Sequence, residues 1–363
     1  MILEQMREKE NVWDILKRTE KPILLYGMGD GALKIMAVMK RYGIRLSGIF
    51  ASDGFVRGHS FEGFQVLSYS QAVQQFGDFV IVLAFGAFRE PLLSYLYELS
   101  EKHTFYAPDV PVCTDGVPFS QMEVITREYL REHEEELDQV YAMLSDDLSR
   151  RVFLNVLDFK VSGKVAYLKD CTTSIEEVYQ NILCPGPQED YVDLGAYTGD
   201  TLEEFLFYTQ GKYHSLTAFE PDQKNFKKME KRLEKLGIAD CQTVCAASGA
   251  RPGEILFSSR AGRNSAVDVS GGRLIPAESV DHIMAGRPVS ILKLDVEGAE
   301  EDALLGSRET IRRYHPKLMI SAYHRNSDLY RLPLLATELG GKYRVYLRHH
   351  PYIPAWETNF YLV

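Results

Sequence analysis

Cysteine is scarce and unpatterned in this chain. The five cysteines, Cys113, Cys171, Cys184, Cys241 and Cys245, are odd in number, dispersed and free of any C-x-x-C pair. That argues against a disulfide framework or a structural zinc site, and for reduced thiols in a cytoplasmic protein. Positive charge is in deficit: 41 lysines and arginines face 51 aspartates and glutamates, a formal net charge of −10, and no basic block offsets it. Neither a nucleic acid nor an anionic membrane is therefore expected as a partner. Long hydrophobic runs are missing as well. The longest apolar stretch, residues 79–88, is about half the ~20 residues needed to cross a bilayer. The opening MILEQMREKE carries acids where a signal peptide needs a basic start and an unbroken apolar core. There is no internal repeat and no low-complexity segment. What is present is ordinary globular composition, 45% hydrophobic and 25% charged over 363 residues. At ~100–200 residues per domain this predicts two domains, or three if one is small.

The pattern along the chain is strand, glycine turn, helix, strand, which is how a parallel α/β sheet begins. The first strand is read at 23–26, followed by Gly27-Met28-Gly29-Asp30-Gly31-Ala32 and a helix; further apolar runs at 46–50 and 79–84 end at Asp53 and Gly86. From 122 to about 159 the spacing is helical, and the acidic run Glu134-Glu135-Glu136 reads as a solvated helix face. A second α/β unit has candidate strands at 191–194, 216–219, 242–245, 291–294, 317–322, 343–347 and 359–362, with helices at 202–208, 222–236, 299–305 and 332–339. The last two strands follow each other without a helix, which predicts a terminal antiparallel hairpin on the sheet edge. The expected divisions are an N-terminal Rossmann-like domain over 1–116, a helical bridge over 117–185 and a second domain over 186–363.

The chemistry concentrates in the second unit. Asp193-Leu194-Gly195-Ala196-Tyr197-Thr198-Gly199-Asp200 directly follows an apolar strand, and Thr201 with Glu204 has the form of a capping box. Glycines there let the backbone approach a ligand at a helix N-terminus. The next strand ends in Phe219-Glu220-Pro221, a place from which a carboxylate accepts hydrogen bonds from a ribose diol. A dinucleotide and S-adenosylmethionine both fit such a geometry. The loop lacks G-x-G-x-x-G and would set Asp193 and Asp200 beside a pyrophosphate, whereas acids attract the ammonium and sulfonium of the methyl donor. The run Ile291-Leu292-Lys293-Leu294-Asp295-Val296-Glu297-Gly298-Ala299-Glu300 is another strand that ends in acids and opens a helix. Asp295 and Glu297 are therefore expected at the same crevice as Gly195 and Glu220.

Three blocks resemble the signatures of the FkbM family of S-adenosylmethionine-dependent methyltransferases. They are Asp193-x-Gly195-Ala196-x-x-Gly199, Ala218-Phe219-Glu220-Pro221-Asp222 with Asn225-Phe226, and Lys293-x-Asp295-Val296-Glu297-Gly298-Ala299-Glu300. The resemblance runs from roughly residue 145 to the end. It implies a class I methyltransferase sheet of seven strands and O-methylation of a hydroxyl on a sugar, glycan precursor or related small molecule. Family members often read G-A-N in the first loop, where this chain has Gly195-Ala196-Tyr197. Carried over, Asp193, Gly195, Ala196, Tyr197 and Gly199 would line the methionyl end of S-adenosylmethionine. Glu220 would hold its ribose, Pro221 and Asp222 would shape the adenosine edge, and Ala247, with Ala246 and Ser248, would flank the adenine. Asp295 would face the methyl group or the acceptor.

Methyl transfer from a sulfonium is an in-line displacement, so the protein has to align the acceptor oxygen and remove its proton. Candidate catalytic residues at the carboxyl edge are Asp295, Glu297 and His324. These three also have the make-up of an oxygen-rich metal site, although no metal is demanded by the spacing and none is expected. His349 and His350 are candidates for an acceptor pocket with Arg348, Trp356 and Glu357, and residues 260–265 for a lid or a surface hairpin.

In the first unit, Gly27-x-Gly29-x-x-Ala32 with Asp53 is a degenerate dinucleotide fingerprint. The stretch 23–84, with Gly58-His59-Ser60-Phe61-Glu62-Gly63-Phe64-Gln65-Val66-Leu67, is similar to small Rossmann-like domains that precede bacterial sugar acyltransferases and other surface-polysaccharide enzymes. That similarity suggests recognition of a nucleotide-linked sugar, or a docking and homo-oligomerisation module. The leading expectation is a cytoplasmic methyltransferase of polysaccharide biosynthesis acting on a small-molecule or glycan acceptor. The alternatives are an NAD(P)-dependent sugar-modifying enzyme that uses Gly27, Gly29 and Asp53, and a catalytically inactive scaffold that binds donor or sugar.

Overall fold

A computed structural model of the chain describes residues 1–56, 58, 60–114, 116–257 and 273–363. The stretch 260–265 named as a lid or hairpin lies outside them. The chain divides into two compact units, one of residues 1–141, 147–173 and 349–357, the other of residues 142–146, 174–348 and 358–363. The helical stretch expected as a bridge is thereby shared out between the units, and a late segment returns to the first.

The first unit is built on strands β1 (Ile23–Tyr26), β2 (Gly48–Ala51), β3 (Ser60–Phe61), β4 (Phe64–Ser68), β5 (Val80–Leu83) and β6 (Thr104–Tyr106). They form one sheet in the order β3-β4-β2-β1-β5-β6, parallel apart from the β3–β4 pair. Every residue of β1, β2 and β5 is buried, as expected of parallel strands covered on both faces. Gly29, at φ +108°, begins the helix Asp30–Tyr42. Close packing requires Gly31, because a Cβ there would sit 2.6 Å from the Ala84 carbonyl oxygen. Asp53, read from sequence as part of a degenerate dinucleotide fingerprint, accepts from the Ser70 hydroxyl at 2.7 Å and the Ser70 N–H at 3.2 Å. Its carboxylate is thus tied to the helix Tyr69–Phe76, and the Ser70 hydroxyl is the main cause of its lowered pKa.

The second unit contains β7 (Asp190–Leu194), β8 (Ser215–Phe219), β9 (Gln242–Val244), β10 (Ala247–Ser248), β11 (Gly253–Phe257), β12 (Arg273–Glu278), β13 (Ile291–Leu294), β14 (Lys317–Ser321), β15 (Val345–His349) and β16 (Thr358–Leu362). Seven of these make a sheet in the order β15-β16-β14-β13-β7-β8-β9, the strand count expected. The pairs from β14 through β9 are parallel, and β16 runs antiparallel to β14 with Leu318 opposite Leu362. The tail hairpin therefore inserts its second strand next to β14 and leaves the first at the edge. The chain runs outward from β7 through β8 to β9, then crosses back to β13 on the other side of β7. This reversal makes the carboxyl ends of β7 and β13 the topological switch point, where open α/β sheets bind ligands. A separate three-stranded sheet, β10-β12-β11, was not anticipated from the sequence.

Packing beneath the switch point is aromatic. Tyr191 stacks on Phe205 with ring centroids 4.2 Å apart, and Tyr179 on Tyr208 at 4.1 Å. At the outer edge, buried Arg348 in β15 donates to Asp146 at 2.7 Å and to Glu177 at 2.8 Å. Truncating one partner of such a cluster leaves the others desolvated and unpaired, at ~3–5 kcal/mol when all are buried. The two acids here are 33% and 27% exposed, so a smaller figure applies. Arg348→Met is expected to destabilise the second unit by about 2–3 kcal/mol, seen as a lower midpoint in urea unfolding followed by circular dichroism.

Candidate active site

Glycine is obligatory at position 195. Gly195 has φ +85°, and a Cβ on it would lie 1.9 Å from the Asp295 carbonyl oxygen. The two loops at the switch point thus touch backbone to backbone, which any side chain would prevent. Main-chain bonds fix them: Gly195 and Ala196 donate to the Phe219 carbonyl at 3.1 and 2.9 Å, and Asp295 donates to the Leu194 carbonyl at 3.1 Å. Each loop also holds a non-glycine residue in the left-handed region, Tyr197 at φ +48° and Glu297 at φ +53°. Such conformations cost roughly 1–3 kcal/mol each and persist where the surroundings over-determine them, most often at functional sites.

Below the loops lies a buried charge network. Asp193, fully buried, accepts from Lys293 Nζ at 3.2 Å and from the Thr201 hydroxyl. Burial pushes its pKa up, against the pull of Lys293 and Thr201. Thr201 therefore does not form the capping box expected with Glu204. Gly199, at φ +82°, starts the helix Asp200–Tyr208 two residues earlier without a side-chain cap. Glu204 instead interacts with Tyr179 and Lys293, and burial raises its pKa. Lys293 also reaches Asp295 Oδ2 at 3.8 Å.

Asp295 is the more accessible acid, with its side chain 27% exposed. Desolvation opposes its ionisation, but Lys293, His324 and hydrogen bonds from Ser321 and Tyr323 outweigh it, so its pKa falls below the usual carboxylate range. The Tyr323 hydroxyl donates to Oδ1 at 3.2 Å. His324 is fully buried. Its Nδ1 lies 2.9 Å from Glu300 Oε1, and its Nε2 lies 3.5 Å from Glu297 Oε2 and 3.7 Å from Asp295 Oδ1. Burial disfavours the imidazolium, yet Glu300, Glu297 and Asp295 together push the pKa up to about 10. Glu300, in turn, accepts from the Val296 N–H at 2.9 Å. The three residues named from sequence as catalytic thus come together, and Ser321, Tyr323 and Glu300 join them.

Glu220 ends β8 beside this cluster. Its Oε1 accepts from the Asp222 N–H at 2.8 Å. Burial pushes its pKa up to about 7, against the Asp222 and Tyr197 N–H groups that favour the charged form. The Tyr197 contact ties Glu220 to the glycine loop. Asp222 caps the helix Gln223–Lys235, accepting from the Lys224 and Asn225 N–H groups at 2.9 and 3.0 Å. Pro221 lies between these two acids in sequence, half-buried. Beyond β9, Ala247 and Ser248 form β10, both buried. Asp200 Oδ1 and Ser248 Oγ are buried without a hydrogen-bond partner.

Other named residues lie elsewhere. His349, His350, Trp356 and Glu357 belong to the first unit. There His349 Nε2 meets the Tyr352 carbonyl at 3.2 Å and His350 Nδ1 meets the Thr173 carbonyl at 3.0 Å. Burial pushes the His349 pKa down to about 3. Arg348 is occupied by Asp146 and Glu177, as described.

Residues 193–354 match the methyltransferase FkbM domain model. Among solved structures, a methyltransferase FkbM from Methylobacillus flagellatus KT superposes with a TM-score of 0.73 at 20% identity, covering 98% of this chain and 94% of that one. An rRNA methylase from Streptococcus thermophilus superposes at a TM-score of 0.32 and 16% identity, over 49% of this chain and 87% of the other. No curated protein matches the sequence. The first of these structures shows the fold, and the family match falls on the segment that carries the switch point. Among the described residues no helix is long and apolar enough to cross a membrane. Over residues 193–354, then, this chain matches the methyltransferase FkbM domain.

Proposed function

We propose that the chain is an S-adenosylmethionine-dependent methyltransferase acting on a hydroxyl of a sugar, glycan precursor or related small molecule. The observation that carries this reading is the charge of the switch point. Asp200, Glu220, Asp295 and Glu297 gather where β7, β8 and β13 end, and Lys293 is engaged below them by Asp193 and Asp295. Such an edge suits a ligand with a sulfonium and an ammonium and repels a pyrophosphate. The residues present fit the donor. Asp200 Oδ1 and Ser248 Oγ are buried polar atoms that lack partners, as expected where a polar ligand supplies them.

On this reading Gly195, Ala196, Tyr197 and Gly199 hold the methionyl end, and Asp193 supports that loop through Thr201 and Lys293. Glu220 accepts from the ribose, and Pro221, Asp222 and Ala247 border the adenosine. The bound donor supplies an electrophilic methyl group on sulfur. The protein's part is to orient an acceptor hydroxyl and receive its proton. Asp295 is suited to that because its surroundings hold it ionised. His324 is the imidazolium that keeps Asp295 charged, and Glu297 flanks the opening. Being protonated across the neutral range, His324 does not itself take up the proton.

Two outcomes test this. Ionised Glu220 accepts two hydrogen bonds from a diol and its protonated form accepts fewer, so S-adenosylhomocysteine is expected to bind roughly three- to fourfold more tightly at pH 8 than at pH 6, given charge-assisted bonds worth ~1 kcal/mol more. A buried carboxyl with a raised pKa withdraws stability as pH rises from about 4.5 to about 7, since over that range the unfolded chain gives up the proton that the folded protein still holds. Glu220→Gln is accordingly expected to raise the melting temperature of the ligand-free protein at pH 8 while weakening S-adenosylhomocysteine at least tenfold in titration calorimetry. Unchanged binding would remove Glu220 from the donor site. Asp295→Asn is expected to slow methyl transfer from a radiolabelled donor by about 10²–10⁴, the range for loss of a general base, with S-adenosylhomocysteine affinity kept within threefold.

A further inference from the structure

We propose that Asp295, Glu297 and His324, oriented by Glu300, form a binding site for one divalent cation of the Mn²⁺ type. Asp295, Glu300 and His324 each bring a donor atom to within 4.8 Å of the others. Proximity of acids alone would mean little. The telling feature is His324 Nε2, fully buried yet without a hydrogen bond, while Nδ1 has Glu300 Oε1 at 2.9 Å; Glu300 Oε2 is likewise buried without one. A buried ring nitrogen without such a bond is a costly arrangement.

The spacing explains it. Nε2 lies 3.5 Å from Glu297 Oε2 and 3.7 Å from Asp295 Oδ1, beyond the ~2.7–3.2 Å of a hydrogen bond. Atoms about 2.1–2.2 Å from a shared cation stand roughly 3.0–3.6 Å apart, so the gap is that of ligands around an ion. The other ring nitrogen faces Glu300 Oε1 at 2.9 Å, and that oxygen also receives the Val296 N–H. A carboxylate on the far nitrogen is how a metal-bound histidine is held in place and made more basic. Lys293 approaches Asp295 through Oδ2, the oxygen away from His324. Asp328 places a further carboxyl near Glu300. Three or four carboxyls around one imidazole leave negative charge that a dication offsets. One nitrogen with several carboxylate oxygens suits Mn²⁺, which accepts both donor types.

The site stands on this geometry. Its use rests on the methyltransferase reading: on binding, the ion displaces the proton from His324 Nε2, takes over the imidazolium's part in keeping Asp295 ionised, and gathers oxygen atoms of the acceptor at the same edge. The test uses the metal alone. Mn²⁺ is titrated into the full chain, without donor or acceptor, and the free ion is followed by electron paramagnetic resonance. One saturable site per chain is expected, with electron spin-echo modulation from a single imidazole nitrogen. Asp295→Asn and His324→Gln, each checked for a cooperative melt, are expected to weaken binding at least tenfold. No saturable binding by the wild-type protein, a bound ion without nitrogen modulation, or undiminished affinity in a folded variant would overturn the proposal. A chain that takes up Mn²⁺ in this way but ignores S-adenosylhomocysteine would refute the proposed function and leave this site intact.

Discussion

The missing side chain of Gly195 is the constraint on which the carboxyl edge of the second unit depends. Because the loop after β7 lies against the main chain of Asp295, the loops that follow β7 and β13 form one piece. The Asp295 N–H to Leu194 bond, the Gly195 and Ala196 N–H bonds to Phe219, and the Glu220 N–H bond to Val244 extend that piece across four strands. Backbone approaches of this kind leave no freedom to trade one loop against another. Tyr197 and Glu297, held in the left-handed region on either side of the contact, are the residues that absorb its strain.

The second theme is negative charge kept partly out of water. Asp193 and Glu220 are buried and shifted upward by burial; Asp193 shares Lys293 with Asp295, and Glu220 is tied by the Asp222 and Tyr197 N–H groups. Such a site is poorly suited to stability, since each ionised carboxylate has to be desolvated. Function and stability pull apart here, as they do where a site is organised for a charged ligand. Lys293 sets the division of labour. It anchors Asp193 within the sheet and biases Asp295 at the surface, so one cation serves a fully buried acid and a more accessible one.

Much of this was legible from sequence where local pattern and global fold agree. Apolar runs ending in Gly195, Glu220 and Asp295 could only be strands with their chemistry at one edge, and the seven strands follow. The cluster of Asp295, Glu297 and His324 was legible because strand ends converge. What escaped reading depended on partners distant in sequence. Arg348 looked like a pocket residue, and its role is set by Asp146 and Glu177, roughly two hundred residues away. Asp53 read as part of a dinucleotide fingerprint, and its partner Ser70 lies seventeen residues on. Thr201 looked like a cap, but a buried acid eight residues earlier outcompeted the helix end. The small sheet was hidden by Pro276, which sits in its central strand β12, a place proline seldom occupies. Glu300 stands in a run of acids that opens a helix, and nothing local shows that it supports His324.

The central claim is that the ligand edge belongs to the second unit and takes a sulfonium nucleoside. The most direct measurement is a crystal structure grown with S-adenosylhomocysteine and NADH present together at equal concentration. The account predicts S-adenosylhomocysteine with its ribose on Glu220 and its amino-acid end along Gly195–Gly199, and no nicotinamide nucleotide at the ends of β1 and β2. NADH bound over Gly27 and Gly29, with the switch point of β7 and β13 empty, would contradict it.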